Sequence, residues 1–292
     1  MLLIGENLNI MSKRIGEAIR QKDPEPIRKL AIAETEAGMD MLDINLGPAR
    51  KDGPEIMQWV VKTVQEVTDL PLSIDTTNIE AMEAGLRVHR GKALINSISA
   101  RPERIEALMP LAKRFNAGFI GLTLGAEGIP RDANERGLLA AQIMAEAAGY
   151  GIPEEDIWLD PIVLPVNSQQ IQIQGCTEFV MMLPELAPNS KSTCGISNVS
   201  NGVPGHLRGI LNRTYLIILK RYGMFSAIAD AFDGELREIA RGKRPGLESL
   251  IYRVMDGQEI DTSSLSIDEI HYIKTTKVLL GHTLYSDSWL EI

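Results

Sequence analysis

Eight short apolar runs, each closing on an acid, an amide or a hydroxyl, alternate with longer stretches of helical spacing through the first 230 residues. No other feature of the chain restricts the fold as much. The runs are LLIGE (2–6), MLDIN (41–45), LSID (72–75), ALINS (93–97), FIGLT (119–123), IWLD (157–160), TCGISN (193–198) and AIAD (227–230). Between them PEPIRKLAIAETEAG, PEIMQWVVKTVQEV, IEAMEAGLRV, RPERIEALMPLAKRF and NERGLLAAQIMAEAAGYG carry the spacing of amphipathic helices, several opening at Pro or Asp and closing at Gly. From Glu6 to Asp230 the steps average about 32 residues, the size of a strand-helix-strand unit. Repeated units of this kind predict a parallel sheet, and eight of them favour a single closed (β/α)8 TIM barrel. An open doubly wound sheet would want GxGxxG after the first strand, and none is there.

The chain, 1–292, is expected as one domain. GELREIARGKRPGLESLIYRVMDGQEIDTSSL, about 234–265, breaks the rhythm with two helical pieces and a polar loop. It is too short to own a core, so it is expected as an insertion in the last unit, ahead of SIDEIHYIKTTKVLLG as the closing helix.

Charge and composition remove several classes of function. A net charge of -9 and a pI near 5.1 do not suit a nucleic-acid surface, which needs clustered Lys and Arg. No run reaches the roughly 18 apolar residues of a membrane span, and MLLIGENLNI lacks the regions of a signal peptide, so a cytoplasmic location is expected. Cys176 and Cys194 provide no disulfide framework and no CxxC. His89, His206, His271 and His282 are scattered without HExxH, so they read as surface or helix-packing residues and no bound metal is expected.

The polar run ends carry the functional information. In a barrel of this kind every carboxyl end of a strand opens on one face. Glu6 with Asn9, Asp43 with Asn45, Asp75, Asn96, Thr123, Asp160, Ser197 with Asn198, and Asp230 should therefore converge on one mouth. For Glu6, Asp43 and Asp230, helix capping or pairing with a neighbouring strand end is an equal reading. Asp75, Asn96 and Asp160 together are costly to bury unless something donates hydrogen bonds to them. The strand ends carry no Lys or Arg for a phosphorylated sugar, and GISNVSNG has no basic helix start beside it. Acceptors of this kind suit a neutral heterocycle with amide and amine hydrogens, such as a pterin.

GENLNI, LDINLGP, SIDTTN, INS, IGLT with GIP close behind, LDPIVLP, GISNVSNG, LNRTYL, AIAD and LYSDS then follow one another in a family order. The chain resembles the methyltetrahydrofolate–corrinoid protein methyltransferases over about residues 1–233 and again near 275–290. The resemblance implies a pterin-binding barrel, shared with the folate domain of cobalamin-dependent methionine synthase and more distantly with dihydropteroate synthase. It implies pterin contacts at Asp75, Asn96 and Asp160, with Gly195 and Ser197 lining the same loop and Asn198 as the catalytic group beside pterin N5. The remaining mouth residues are additional candidates. Relatives read GER at the first strand, whereas here Glu6 is followed by Asn7.

The implied substrates are tetrahydrofolate and 5-methyltetrahydrofolate, with the corrinoid carried by a partner protein, since no DxHxxG occurs here. A homodimer formed through the outer helices is also implied. The 234–265 segment resembles methyltransferases of demethylase systems, in which a methyl-cobalt(III) corrinoid protein and tetrahydrofolate yield 5-methyltetrahydrofolate and cobalt(I). Three alternatives remain: the acetyl-CoA-pathway enzyme that methylates a corrinoid iron-sulfur protein, dihydropteroate synthase, and a non-catalytic folate-binding subunit.

Overall fold

The computed structural model describes residues 1–48 and 52–291. Among them the expected strands form β1 (Leu2–Gly5), β2 (Met41–Gly47), β3 (Leu72–Thr76), β4 (Leu94–Ser99), β5 (Gly118–Leu122), β6 (Ile157–Asp160), β7 (Lys191–Ser192) and β8 (Ser226–Ala229). All neighbours are parallel in the order β7-β6-β5-β4-β3-β2-β1-β8. The seam between β7 and β8 is drawn together just beyond β7. Ile228 N donates to Cys194 O at 2.9 Å, Ser226 Oγ donates to Ser192 O at 3.0 Å, and Gly195 bridges Ile228. The sheet is a TIM barrel.

Strand parity divides the barrel interior into two layers. Ile4, Met41, Leu94, Ile120, Trp158 and Ile228 form one buried cluster that plugs the interior. Side chains two residues further along a strand keep the same facing. Above Ile4 therefore stands Glu6, above Met41 stand Asp43 and Asn45, above Leu94 stands Asn96, and above Trp158 stands Asp160. The opposite parity (Leu3, Leu42, Ile44, Ile74, Phe119, Leu159) joins the large outer core under the helices.

The helices are α1 (Lys13–Gln21), α2 (Pro24–Glu36), α3 (Gly53–Gln65), α4 (Ile79–Val88), α5 (Pro102–Arg114), α6 (Ala133–Gly149), α7 (Val166–Leu186), α8 (Gly205–Arg221), α9 (Gly234–Ala240), α10 (Pro245–Met255) and α11 (Ile267–Leu279). Asp23, Asn78, Asp132, Asp233 and Ser266 cap α2, α4, α6, α9 and α11 by accepting from first-turn amides. α1 was not expected. Four of the nine residues of its sequence, KRIGEAIRQ, are charged, yet Ile15, Ala18 and Ile19 make a buried stripe at helical spacing.

The seventh strand differs from the expected 193–198. Pairing by β7 stops at Ser192, and Ile196–Ser200 is a short 3-10 turn closed by Asn198 N donating to Gly195 O at 3.2 Å. The polar run that resembles a strand end is thus already the loop over the mouth.

The 234–265 segment supplies α9, α10 and a loop. α9 lies beside β1 and donates from Arg237 Nη1 to Ala37 O at 2.6 Å, while the terminal amine of Met1 donates to Ala240 O at 3.2 Å. α10 contributes Leu247 and Ile251 to the large core and pairs Glu248 with Lys220 at 2.8 Å. After α11, Trp289 is buried and donates from its indole to Thr275 Oγ1 at 3.0 Å, fastening the last residues to the fold.

Since Ile251 is fully buried, Ile251→Ala should lower unfolding stability by about 2–4 kcal/mol through lost transfer energy and the cavity left behind. Ile267→Ala, at a side chain 71% exposed, should change it by less than about 0.5 kcal/mol. Urea denaturation of the two variants checks the contrast.

Candidate functional site

A cavity of about 1100 Å³ opens at the carboxyl ends of the strands. Ten of the expected residues line it: Glu6, Asn9, Asp43, Asn45, Asp75, Asn96, Asp160, Gly195, Ser197 and Asn198. Thr123 and Asp230 do not. Thr123 has the outward parity of Phe119, so Leu122 faces the mouth in its place, and the Thr123 hydroxyl donates to Asp160 O at 2.9 Å. Asp230 sits at the rim as a partner of Asn7, whose amide donates to Asp230 Oδ1 at 2.9 Å while its carbonyl accepts from Ala231 N at 2.9 Å. Asn7 therefore ties the end of β1 to the end of β8.

The floor of the cavity is a set of oriented acceptors. Asp43 is buried and accepts from Ser73 Oγ at 2.5 Å and from Asn96 Nδ2 at 3.0 Å. Asn96 commits an amide hydrogen to Asp43 in this way, while the residue lines the cavity. Asn45 accepts from Gly47 N at 2.9 Å through Oδ1, which points its amide hydrogens at Asp75. Asp160 Oδ1 accepts from Ile162 N at 2.7 Å. Glu6 Oε2 accepts from Ser197 Oγ at 2.8 Å, connecting the first strand to the turn that bears Asn198.

Asn198 is exposed on that turn, and its side-chain amide makes no hydrogen bond among the described residues. The turn is held instead by main-chain groups and by Ser200 Oγ donating to Ser197 O at 3.1 Å. A Cβ on Gly195 would lie 3.0 Å from Asn198 Nδ2, so glycine leaves the amide room to lie over the loop.

Burial above an apolar plug raises the carboxyl pKa values. Desolvation pushes Asp75 and Asp43 upward, and the neighbouring Asp43 charge pushes Asp75 further. Asp160 is raised to about 7 by burial, held back by the Ile162 amide and by Arg136. Glu6 is likewise raised to about 7, with Ser197 opposing. Glu34, on α2 behind the site, is raised to about 8; its Oε1 accepts from Asn7 N at 3.1 Å, while its buried Oε2 has no partner among the described residues.

The cavity also has cations that inspection of strand ends misses. Arg14 on α1, Lys29 on α2 and Arg208 in the first turn of α8 line it, and Arg208 Nε donates to Ser200 Oγ at 3.1 Å. Arg14 and Arg208 stand in the first turns of their helices, which is the signal available for them, whereas Lys29 lies in the second turn of α2. Arg208 lies ten residues beyond Asn198 and starts the helix that GISNVSNG leads into. Acceptors thus occupy the floor and cations the rim. No group of three or more His, Cys, Asp or Glu among the described residues is arranged to hold a metal ion.

Comparison with known proteins gives the family and the fold. The family model described as pterin binding enzyme matches residues 5–224. Methylcorrinoid:tetrahydrofolate methyltransferase of Eubacterium limosum is 28% identical over 232 residues, covering 79% of this chain and 85% of that protein. Methionine synthase of Mycobacterium tuberculosis is 27% identical over 242 residues, 79% of this chain but 20% of that longer protein. Among solved structures, dihydropteroate synthase from Thermus thermophilus superposes with a TM-score of 0.60 at 19% identity, covering 84% of this chain and 94% of that one. The Xanthomonas albilineans dihydropteroate synthase does so with 0.61 at 15%, covering 84% and 92%. Those two likenesses establish the fold.

The raised carboxyls make stability depend on pH. A carboxyl whose folded pKa exceeds its unfolded value of about 4 stabilises the fold fully below that value and loses the contribution as pH rises through the folded one. The ligand-free protein should therefore be less stable at about pH 8.5 than at about pH 5.5. Glu34→Gln should reduce that difference by at least about 1 kcal/mol. Urea denaturation at both pH values reads the effect.

Proposed function

The chain belongs to the pterin binding enzymes, and on that premise we propose that it moves a methyl group between N5 of tetrahydrofolate and the cobalt of a corrinoid carried by a separate protein, in a demethylase system. The observation that carries this reading is the acceptor floor formed by Asp75, Asn96 and Asp160. A reduced pterin presents its 2-amino group, N3–H and N8–H along one edge, and three acceptors set into a buried wall are the complement of that edge. The name of the Eubacterium limosum relative supports the methyl-cobalt to tetrahydrofolate direction.

With the pterin edge held on the floor, N5 lies toward the turn that bears Asn198. In the proposed transfer the N5 lone pair takes the methyl group from cobalt(III). The pair of the cobalt–carbon bond stays on the metal as cobalt(I), and N5 gives up its proton to solvent. Asn198 places an amide beside N5 whose hydrogen bond strengthens as charge changes there, a differential contact worth roughly 2–4 kcal/mol by analogy with oxyanion-hole amides. Run in reverse, the same contact stabilises N5 as the methyl group departs.

The partner has to cover the mouth with its corrinoid. Met11, 86% exposed, and Phe232, 52% exposed, line the cavity as apolar groups open to solvent and suit such a contact. A homodimer through the outer helices would leave the mouth clear, and it belongs to the same proposal, as does a cytoplasmic location. No described helix is long and apolar enough to cross a membrane. Dihydropteroate synthesis is the second reading, because Arg14, Lys29 and Arg208 at the rim offer charge for a diphosphate. Product from a pterin diphosphate and 4-aminobenzoate would favour it. The acetyl-CoA-pathway reading predicts faster transfer from methyltetrahydrofolate to a corrinoid iron-sulfur protein, and a binding subunit predicts folate binding with no change at cobalt.

Mixing the protein with tetrahydrofolate and a methylated corrinoid protein should produce cobalt(I) absorbance; its absence while folate binds would reject transfer. Tetrahydrofolate affinity should rise from about pH 6 to about pH 8 with proton release, because ring donors require ionised acceptors. Asp75→Asn should weaken binding by on the order of 1–3 kcal/mol and flatten that rise, as calorimetry in two buffers would show. Asn198→Ala should slow single-turnover transfer roughly tenfold to a thousandfold at saturating folate, with smaller loss of affinity and an unchanged thermal melt. An unchanged rate in a normally melting variant removes the catalytic assignment.

A further inference from the structure

Behind Asp160 lies a charge that the site just described does not use. Arg136, on α6, is fully buried and among the largest such side chains in the molecule. Its hydrogen bonds among the described residues go to neutral acceptors: Nε to Pro161 O at 2.7 Å, Nη2 to Gln172 Oε1 at 2.7 Å, and Nη1 to Asp132 O at 3.1 Å. Enclosing a guanidinium without a paired carboxylate is costly, and an apolar side chain of similar volume would fill the space more cheaply.

The surroundings are shaped to keep it. A Cβ on Gly175 would lie 3.0 Å from Nη1, so α7 closes over the guanidinium with glycine at the point of approach. The acceptor taken by Nε is the carbonyl that immediately follows Asp160. One residue on, Ile162 has φ +59°, a left-handed conformation that a β-branched residue adopts only under constraint. Three hydrogen bonds impose it: Ile162 N to Asp160 Oδ1 at 2.7 Å, Arg136 Nε to Pro161 O at 2.7 Å, and Cys176 Sγ to Ile162 O at 3.1 Å.

We propose that Arg136 is a positioning residue for the folate site: through the Pro161 carbonyl it fixes the Asp160 turn, and its enclosed positive charge sets the strength with which the Asp160 carboxylate accepts from ring N–H groups. The proposal rests on the folate reading above and extends it to a side chain that lies outside the cavity wall. Arg136 opposes the burial that raises the Asp160 pKa, in keeping with this role. The other titratable groups facing Asp160 are Cys176 from α7 and Cys194 beyond β7. Burial raises both thiols, Cys176 to about 12, so neither ionises near neutral pH. Within the cavity Glu6, Asp43 and Asp75 also titrate, and an Asp160→Asn background separates them from Asp160.

The test is tetrahydrofolate affinity against pH for the full-length protein and for Arg136→Met, Arg136→Lys and Gly175→Ala, each with a thermal melt. Without the guanidinium charge, Arg136→Met should move the midpoint of the affinity rise upward by about one pH unit and weaken binding about tenfold at neutral pH. Arg136→Lys, which keeps the charge but not the fork, should retain the wild-type midpoint and lose about threefold in affinity. In Asp160→Asn, adding Arg136→Met should move the midpoint no further. If Arg136→Met does not fold, Gly175→Ala, which displaces the guanidinium, should show a smaller upward shift. Normal wild-type binding with an unmoved midpoint in both Arg136→Met and Gly175→Ala, or in Gly175→Ala alone if Arg136→Met does not fold, overturns the role of Arg136 and leaves the folate reading intact. Failure of the wild-type protein to bind tetrahydrofolate overturns the folate reading, and this one with it.

Discussion

Carboxylates held over an apolar plug dominate the physics of this molecule. Ile4, Met41, Leu94, Ile120, Trp158 and Ile228 exclude water from the barrel interior, and the next inward positions on three of those strands are Glu6, Asp43 and Asp160. An acid in that position must either stay protonated or find donors. Ser73 and Asn96 answer for Asp43, Asn45 for Asp75, the Ile162 amide for Asp160 and Ser197 for Glu6. Each donor is itself placed by the need to satisfy an acid, so the cavity wall is a network whose orientation is set from below.

The same network holds the ends of the chain's strands together where the barrel has least backbone pairing. β7 contributes two residues to the sheet, and among the described residues backbone pairing toward β8 comes from Cys194 and Gly195. Glu6 reaches past β8 to Ser197 and so spans this weak sector with a side-chain hydrogen bond, while Asn7 adds a bond to Asp230 at the end of the β1–β8 pair, which the backbone already joins. Asn suits this position, because an amide donates to Asp230 and accepts from Ala231 at once, which a guanidinium cannot do.

What could be read in advance follows from periodicity. Apolar runs with polar ends overlap seven of the eight strands, and ten of the residues singled out at those ends line the cavity, because parity in a strand carries facing directly into three dimensions. Thr123, for the same reason, lies one residue off the inward register, and Leu122 holds the position. The polar run 193–198 resembled a strand although Gly195 and Ser197 belong to a turn. α1 escaped notice because its apolar stripe is three residues among many charged ones. Arg14, Lys29 and Arg208 lie on helices, outside the strand pattern, and Arg136 is enclosed behind the cavity wall by packing that no local pattern records.

The plug also governs traffic. With Trp158, Ile120 and their neighbours sealing the interior, the cavity formed by the described residues opens at the strand ends, where Met11 and Phe232 stand. On the folate and corrinoid reading, two bulky reactants share that doorway, and the one seated on the acceptor floor is the deeper of the two. The smaller molecule must then arrive before the larger closes over it and must wait for the larger to withdraw before departing. An architecture chosen for dryness thus imposes a strict queue on its substrates.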